Sequence, residues 1–363
     1  MRFTILAAAL LAMVATNAAA AVAPPDPAAQ ANAGTVRVIT GMAGGTYLQT
    51  AADLMILDNG TLRVLPILGK GSLSNMSDIL FLKGVDIGFV QADAQIYAQQ
   101  HGLFPGRLQD IRYIAKLYDE EMHILVGPDI HRIEDLAGKH VNVDVTGSGS
   151  AMTAEIVLTL LGVDAIVDHD RQIDGIEKLK SGQIAGIIHV GGAPIPLIAG
   201  VPPDSGLHFL SVVLTDTLAK TYLPGELSHD EYPTLIPDAT IVPTIAVPDV
   251  MAVFNWQPGT ERYKKCAAFV DAFFSRFGDF QQRPRHPKWR EVSLVATVPG
   301  WQRFPPAEKW LVEHAAGAGT EVRQQFDQFI DASKAKPARS EMDRDALFAA
   351  FLKWRQQVAP RQQ

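Results

Sequence analysis

One unit near the start of the chain constrains the fold more than any other feature. Residues 36–40 alternate and include β-branched side chains, which predicts a strand. The loop 41–47 contains three glycines, so its backbone can turn sharply and approach a ligand closely. From Leu48 the apolar residues follow helical spacing. A strand, a glycine loop and a helix in this order direct N–H groups at an anion, although the loop could also be a simple tight turn.

The first residues of the chain predict export. Arg2, an apolar run over 3–14 and small residues up to Ala20 form a secretory signal peptide with cleavage near Ala20. The apolar run is too short to span a bilayer core of about 30 Å as a helix. Residues 21–34 are rich in alanine and proline and are predicted to form a disordered leader. Cys266 is the single cysteine, so an internal disulfide is excluded, and we expect a periplasmic protein.

Charge and length limit the partners and the number of domains. The chain has 32 Lys and Arg against 39 Asp and Glu, a formal net charge of −7. Nucleic acid would require a basic face, so no nucleic-acid partner is expected. About 340 residues remain after removal of the signal peptide, which is more than one core usually organises, and two domains are predicted.

The strand–loop–helix rhythm repeats twice more in the first third of the chain, and each repeat places polar side chains at the end of a strand. These side chains are Ser72, Asn75, Gln91 and Asp93. Ligands of open α/β sheets bind at the carboxyl ends of the strands, so the side chains are candidate ligand contacts. Ser72 and Asp93 are also good helix N-caps, which is the competing interpretation. The segment around Lys70 lacks the spacing of a phosphate-binding P-loop.

A polar stretch at 118–123 separates two apolar extended runs and indicates a crossover between domains. The rhythm then restarts with a strand at 141–145, a Gly/Ser loop and a helix. Ser148, Gly149 and Ser150 stand at the start of that helix. Hydroxyl and N–H donors at a helix start can bind a carboxylate or phosphate without a formal positive charge.

Three further segments complete the predicted second half. A strand at 184–190 ends in a cluster of small residues that includes Gly192. Another strand is predicted at 207–213, and the return crossover at 241–250. The chain beyond should therefore rejoin the first domain.

Together these motifs resemble the TAXI family of TRAP-transporter solute receptors over about residues 36–248. The residues that carry the resemblance are Gly41 with Gly44-Gly45-Thr46-Tyr47, Gly71-Ser72 with Asn75, Gln91-Ala92-Asp93, Leu117-Tyr118 with Glu120 and His123, Asp135-Leu136-Ala137-Gly138-Lys139, Gly147-Ser148-Gly149-Ser150 and Gly191-Gly192-Ala193-Pro194. The resemblance implies an α/β periplasmic binding protein fold of type II, with two lobes that each contain a mostly parallel sheet flanked by helices. It also implies a monomeric receptor without cofactor, metal or catalytic residues, which passes its solute to the membrane permease subunits of a TRAP transporter.

The expected lobes follow from the crossovers. Residues 35–120 form the first part of lobe 1, residues 121–243 form lobe 2, and residues 244–363 return to lobe 1 and add a C-terminal helical extension. The segment 283–363 receives no predicted role.

The expected ligand site lies between the two lobes, and the family's ligands suggest a small organic anion or a glutamate-like amino acid. The predicted contacts are Gly45, Thr46, Tyr47, Ser72, Asn75, Gln91, Asp93, Ser148, Gly149, Ser150 and Gly192. Asp93 is expected to accept a ligand ammonium and Tyr47 to cover its aliphatic part. The better-known branch of TRAP receptors holds the ligand carboxylate with an arginine, and the predicted loops contain no arginine placed for that role.

Two other functions remain open at this stage. The same fold could serve a ligand-sensing protein that docks on a membrane sensor kinase. A small-molecule hydrolase could in principle combine Ser148 or Ser150 with His123, His189 and Asp93. However, neither serine lies in a G-x-S-x-G motif, and the histidines lack metal-ligand spacing, so binding without catalysis is the favoured function.

Overall fold

The computed structural model describes residues 26–27 and 32–314. The predicted signal peptide, most of the predicted leader and the C-terminal segment from residue 315 lie outside the described residues. The fold below is that of the compact unit that begins at Gly34. None of the helices in the described part of the chain has the length and hydropathy that a membrane span requires.

The described part of this unit alternates strands and helices. The strands are β1 (Thr35–Ile39), β2 (Arg63–Ile67), β3 (Ile87–Gln91), β4 (Ile111–Val126), β5 (His140–Asn142), β6 (Ile166–Asp168), β7 (Gly186–Gly191), β8 (His208–Phe209), β9 (Leu223–Ser228) and β10 (Ile241–Phe254). The α-helices are α1 (Thr46–Asp53), α2 (Ser72–Phe81), α3 (Asp93–Gln100), α4 (Gly149–Leu161), α5 (Gln172–Lys180), α6 (Pro196–Ala199), α7 (Glu261–Ser275) and α8 (Phe277–Phe280). Residues 305–314 are also helical.

The ten strands form one continuous sheet in the order β2-β1-β3-β10-β4-β7-β5-β6, with β8 on β4 and β9 on β10. Strand β1 pairs in parallel with β2 and β3, and β5 pairs in parallel with β6 and β7. We call these two parallel groups, with their helices, the first half and the second half. The long strands β4 and β10 pair antiparallel in the middle and belong to both halves.

The predicted break at 118–123 is wrong, because these residues lie inside the 16-residue strand β4. Their polar side chains find partners within the fold, so the strand need not be interrupted. Glu120 accepts a hydrogen bond from Gln91 Nε2, Glu121 from the backbone N–H of Ala193, and His123 bonds to Tyr232. The strand itself makes the crossover that the sequence suggested.

The predicted strand at 207–213 is mostly irregular, and only His208–Phe209 is extended in the sheet. The backbone N–H of Leu210 bonds to Ile124 on β4, whereas that of Val212 bonds to Pro243 on β10. This segment therefore passes from one strand to the other, and its ladder with β4 is limited to His208 and Phe209.

Separate apolar clusters fill the two halves. In the first half, α7 packs Cys266, Phe269 and Phe273 against β1, β3 and β4, and Trp289 lies against Phe273 with ring centroids 5.8 Å apart. In the second half, residues of α4, β5 and β7 form another cluster. The predicted α/β class with two lobes is confirmed. Instead of one sheet in each lobe, however, β4 and β10 join the two parallel groups into one continuous sheet. Cys266 is buried in the cluster of the first half.

Candidate ligand-binding site

A cavity of about 420 Å³ lies between the two halves, where the loops that follow the parallel strands meet. Of the predicted contacts, the following line it: Gly45, Thr46, Tyr47, Ser72, Gln91, Ser148, Gly149 and Ser150. Loops far apart in sequence thus meet at one place. Asn75, Asp93 and Gly192 belong to the surrounding structure instead.

Four helices begin at the cavity wall, two from each half. Helices α1 and α2 start after Gly45 and Gly71, which provide no side-chain cap. Helix α4 starts after Ser148, and α5 starts after Arg171. N–H groups of a first helical turn have no partner within the helix, and the helix dipole places positive charge beside them. The cavity is therefore electrostatically suited to an anion.

Most of the predicted hydroxyl donors are already used within the protein. Ser148 Oγ accepts from the backbone N–H of Ala151 at 3.1 Å and caps α4. Ser150 Oγ accepts from the backbone N–H of Val190 at 2.9 Å. Thr46 Oγ1 donates to the carbonyl of Gly192 at 2.7 Å. The hydroxyl protons of Thr46 and Ser150 are thus directed at the carbonyls of Gly192 and Val190, whereas Ser148 accepts in its capping bond and can still donate to a ligand beside the backbone N–H groups.

Ser72 connects two loops of the cavity wall by hydrogen bonds and does not cap its helix. The N-cap of α2 is Gly71, and Ser72 Oγ accepts from the backbone N–H of Gln91 at 3.1 Å. The same oxygen lies 3.3 Å from the hydroxyl of Tyr47. Asn75 lies one turn further along α2 and donates from Nδ2 to the carbonyl of Phe89 at 2.8 Å, which fixes the helix on β3.

Asp93 connects the two halves. Its carboxylate is 2% exposed, and Oδ2 accepts hydrogen bonds from Thr153 Oγ1 at 2.9 Å and from the Tyr222 hydroxyl at 3.2 Å. Burial raises the pKa of Asp93 to about 6. Both donors belong to the second half, so Asp93 stabilises the contact between the halves behind the cavity.

Gly192 makes a second contact between the halves through its carbonyl, which accepts from Thr46. A Cβ atom at Gly192 would lie 2.9 Å from the Tyr118 ring and 3.1 Å from Lys288 Cγ. The position therefore requires a glycine for packing.

Four charged residues of the cavity wall were not among the predicted contacts: Lys70, Glu120, Asp144 and Arg171. Arg171 and Lys70 are exposed and stand on opposite halves. Arg171 corrects the expectation that no arginine is placed near the ligand, although its guanidinium is paired with Asp174 at 2.7 Å. Asp144 lines the cavity from the second half. Its backbone φ is 79°, which is uncommon for a residue other than glycine.

Glu120 also lines the cavity and is 1% exposed. Its Oε2 accepts from Gln91 Nε2 at 2.7 Å, and its Oε1 has no hydrogen-bond partner among the described residues. Burial raises the pKa of Glu120 to about 8, against the effect of the Gln91 amide. The nearby Asp249 accepts from the Tyr47 hydroxyl at 3.1 Å, and burial raises its pKa as well. Glu120 and Asp249 therefore form a buried pair of carboxyl groups, of which Glu120 lines the cavity.

The histidines and serines are not joined in the manner of a catalytic triad. Burial lowers the pKa of His189 to about 4, so the imidazole on the cavity wall is neutral at pH 7. His123 lies deeper, between the carbonyl of Glu121 and the hydroxyl of Tyr232. Among the hydrogen bonds of the described residues, none joins a histidine to Ser148 or Ser150.

A family model described as NMT1-like matches residues 38–268, which is more than half of the chain. The chain belongs to the NMT1-like family. The match spans both halves of the sheet and all four helix starts at the cavity. It does not single out the TAXI group, which stays a prediction for this NMT1-like protein.

Three solved structures illustrate the more distant likenesses of this NMT1-like protein. An ancestral arginine-binding protein bound to arginine is 16% identical, with 67% of this chain and 93% of that chain covered and a TM-score of 0.38. The alkanesulfonate-binding protein SsuA from Xanthomonas axonopodis pv. citri, bound to MOPS, is 12% identical, with 90% and 95% covered and a TM-score of 0.41. A TctC solute binding protein from Polaromonas is 16% identical, with 67% and 88% covered and a TM-score of 0.36. At these TM-scores the likenesses do not identify a ligand.

Proposed function

We propose that this NMT1-like protein is a periplasmic solute receptor that binds a small organic anion or an acidic amino acid between two lobes. The proposed lobes are residues 35–120 together with the described residues from 244 onward, and residues 121–243. The receptor delivers its ligand to the membrane permease of a TRAP-type transporter and makes or breaks no bond. The TRAP assignment rests on the resemblance of the loops to the TAXI group.

One observation carries the proposal: four helices from two halves of the fold begin at a single cavity. A helix start favours an anion by about 0.3–1 kcal/mol when exposed and by more when it is partly buried. Four such starts around about 420 Å³ suit a ligand of metabolite size. Apolar side chains such as Met42, Ile173 and Leu197 also line the cavity, so the ligand can carry an aliphatic part.

Contacts across the cavity support binding by closure of the two halves. Two hydrogen bonds join the halves: Thr46 donates to the carbonyl of Gly192, and Thr153 donates to the carboxylate of Asp93. The backbone N–H of Ser74 donates to the carbonyl of Gly147 at 2.9 Å. Closure excludes water from the cavity and brings the four helix starts together around the ligand. Strands β4 and β10 provide the two connections about which the halves can move.

The test is a ligand screen on the protein without residues 1–20. Thermal shift and isothermal titration calorimetry are used with dicarboxylates, monocarboxylates and acidic amino acids. We expect at least one of these ligands to bind at micromolar to millimolar concentration. The proposal is wrong if the folded protein binds none of them.

A variant of Gly149 tests whether closure forms the site. A Cβ atom at Gly149 would overlap Gln91 Oε1 and Ser72 Oγ across the cavity. Gly149→Ala should therefore lower the affinity for every ligand by at least about tenfold. Gly278→Ala is the matched control, because a Cβ atom there meets nothing within 4 Å. Unchanged affinity in Gly149→Ala would show that the site does not need the closed arrangement.

A further inference from the structure

The charges of the cavity are arranged by depth. Lys70 and Arg171 are exposed at its mouth, and the four helix starts add positive potential around them. The carboxyl group of Glu120 is buried at its floor. The negative charge of a purely anionic ligand would be attracted by the basic groups at the mouth of the cavity. At the inner end of the cavity the same ligand would meet the carboxyl group of Glu120.

Glu120 lacks the partner that a buried carboxylate normally has. Gln91 satisfies Oε2, and Oε1 accepts no hydrogen bond within the described part of the chain. Buried polar groups are nearly always hydrogen-bonded, and an unsatisfied one requires an explanation. Because Glu120 also lines the cavity, a donor group of a bound ligand supplies that explanation.

None of the groups around Glu120 is a hydrogen-bond partner of Oε1 in the described part of the chain. The titratable groups that face it or adjoin it are Tyr47 on α1, Asp93 at the start of α3, Tyr118 and Glu121 on β4, and Asp249 on β10. The nearby cation is Lys288, and its ammonium is bonded to Glu121 and Glu291. No cation among the described residues is paired with Glu120 by an ion pair.

We infer that Glu120 receives the ammonium group of a zwitterionic ligand, an α-amino acid whose carboxylate faces the helix starts. The inference rests on the proposed function and assigns to Glu120 the role that the sequence suggested for Asp93. Asp93 also has one oxygen without a hydrogen-bond partner among the described residues, Oδ1, but it does not line the cavity, whereas Glu120 does.

Binding of this kind releases a proton. Burial raises the pKa of Glu120 to about 8, so the empty site holds a neutral carboxylic acid at pH 7. When the ammonium binds, the carboxyl proton leaves to solvent, the ammonium keeps its own protons, and an ion pair forms. An anion without an amino group would gain nothing from this exchange.

The test uses two pairs of probes that differ only in the amino group: L-glutamate with glutarate, and L-leucine with 4-methylpentanoate. We expect the amino member of at least one pair to bind at least about tenfold more tightly than its partner, since a buried group that loses its hydrogen bond costs about 1–3 kcal/mol. Calorimetry in two buffers of different ionisation enthalpy should show release of about one proton at pH 7 and less at pH 9.

Glu120→Gln should reduce the preference for the amino member to about threefold or less and abolish proton release. Asp93→Asn is the control. It weakens the contact between the halves, so it should lower the affinity for both members of a pair by the same factor. The proton measurement needs only the wild-type protein, so it decides the question even if Glu120→Gln folds poorly.

The outcomes separate the two proposals. If the wild type prefers the amino member in neither pair, or if it releases no proton, the receptor function stands and the role of Glu120 is wrong. A preserved preference in folded Glu120→Gln has the same meaning. If the folded wild type binds a ligand of the wider screen but none of the four probes, the receptor function stands and the role of Glu120 is wrong. If it binds no ligand of that screen, both proposals are overturned.

Discussion

Replacing Lys288 by methionine measures the importance of one buried positive charge. Lys288 is 3% exposed, and its Nζ lies 2.5 Å from Glu121 Oε1 and 2.9 Å from Glu291 Oε2. Through Glu121 it ties the turn at Pro287–Glu291 to the shared strand β4. Methionine keeps an unbranched apolar stem, so Lys288→Met removes the charge with little change in packing.

The expected loss depends on pH. Removing one partner of a buried ion pair costs about 3–5 kcal/mol, because the other charge remains buried without compensation. Burial already raises the pKa of Glu121 to about 7, and the loss of Lys288 would raise this pKa further. In the variant Glu121 is therefore neutral near pH 5, where we expect a loss of only about 1–2 kcal/mol in the free energy of unfolding. Near pH 8 the full loss should appear.

Urea unfolding followed by circular dichroism at both pH values measures this loss. Lys309→Met is the control, because the Lys309 side chain is 74% exposed and lies 3.7 Å from its partner Glu313, so its removal should change stability by less than about 1 kcal/mol. Adding Glu121→Gln to Lys288→Met should restore stability near pH 8. The reasoning is refuted if the loss is the same at both pH values, or if the double variant is no more stable than Lys288→Met.

Two other predictions concern pH and charge. The free energy of unfolding of the wild type should fall as pH rises from about 5 to about 8, because burial raises the pKa of Asp93 and Asp144 to about 6 and of Glu120 to about 8. The native state then binds more protons than the unfolded state, and urea titrations that show stability rising over this range would contradict this. Arg171→Gln should lower the affinity for an anionic ligand about threefold to tenfold at low salt. The effect should be smaller at high salt, because the Arg171 side chain is exposed and salt screens its charge. Calorimetry at two salt concentrations tests this, and an equal effect at both would rule out a role for its charge.

The local pattern of the sequence was sufficient for the alternation of strands and helices and for the loops that meet at the cavity. The glycine loop before Thr46 and the Gly/Ser loop before Ser150 were visible because each combines a strand, small residues and a helix start within about fifteen residues. The contacts between these loops and the ligand stay predictions.

The remaining features depend on partners distant in sequence. Glu120 and Glu121 appeared to interrupt a strand, since nothing nearby in the chain shows that Gln91 and Lys288 satisfy them. Arg171 was missed because the strand before it, Ile166–Asp168, has three residues and no recognisable alternation. The helix that follows begins at Gln172, which places Arg171 at its start.

The position of β10 determines when this protein can fold. Strands β3 and β4 follow each other in the chain, but β10 lies between them in the sheet. The first half therefore cannot complete its pairing until Phe254 has been synthesised. Pairing over such long sequence separations slows folding, because the entropy of closing the intervening chain must be overcome first. The first half of the growing chain should thus stay incompletely paired through most of its synthesis, which favours a chain that reaches the translocation machinery unfolded, as the predicted signal peptide requires.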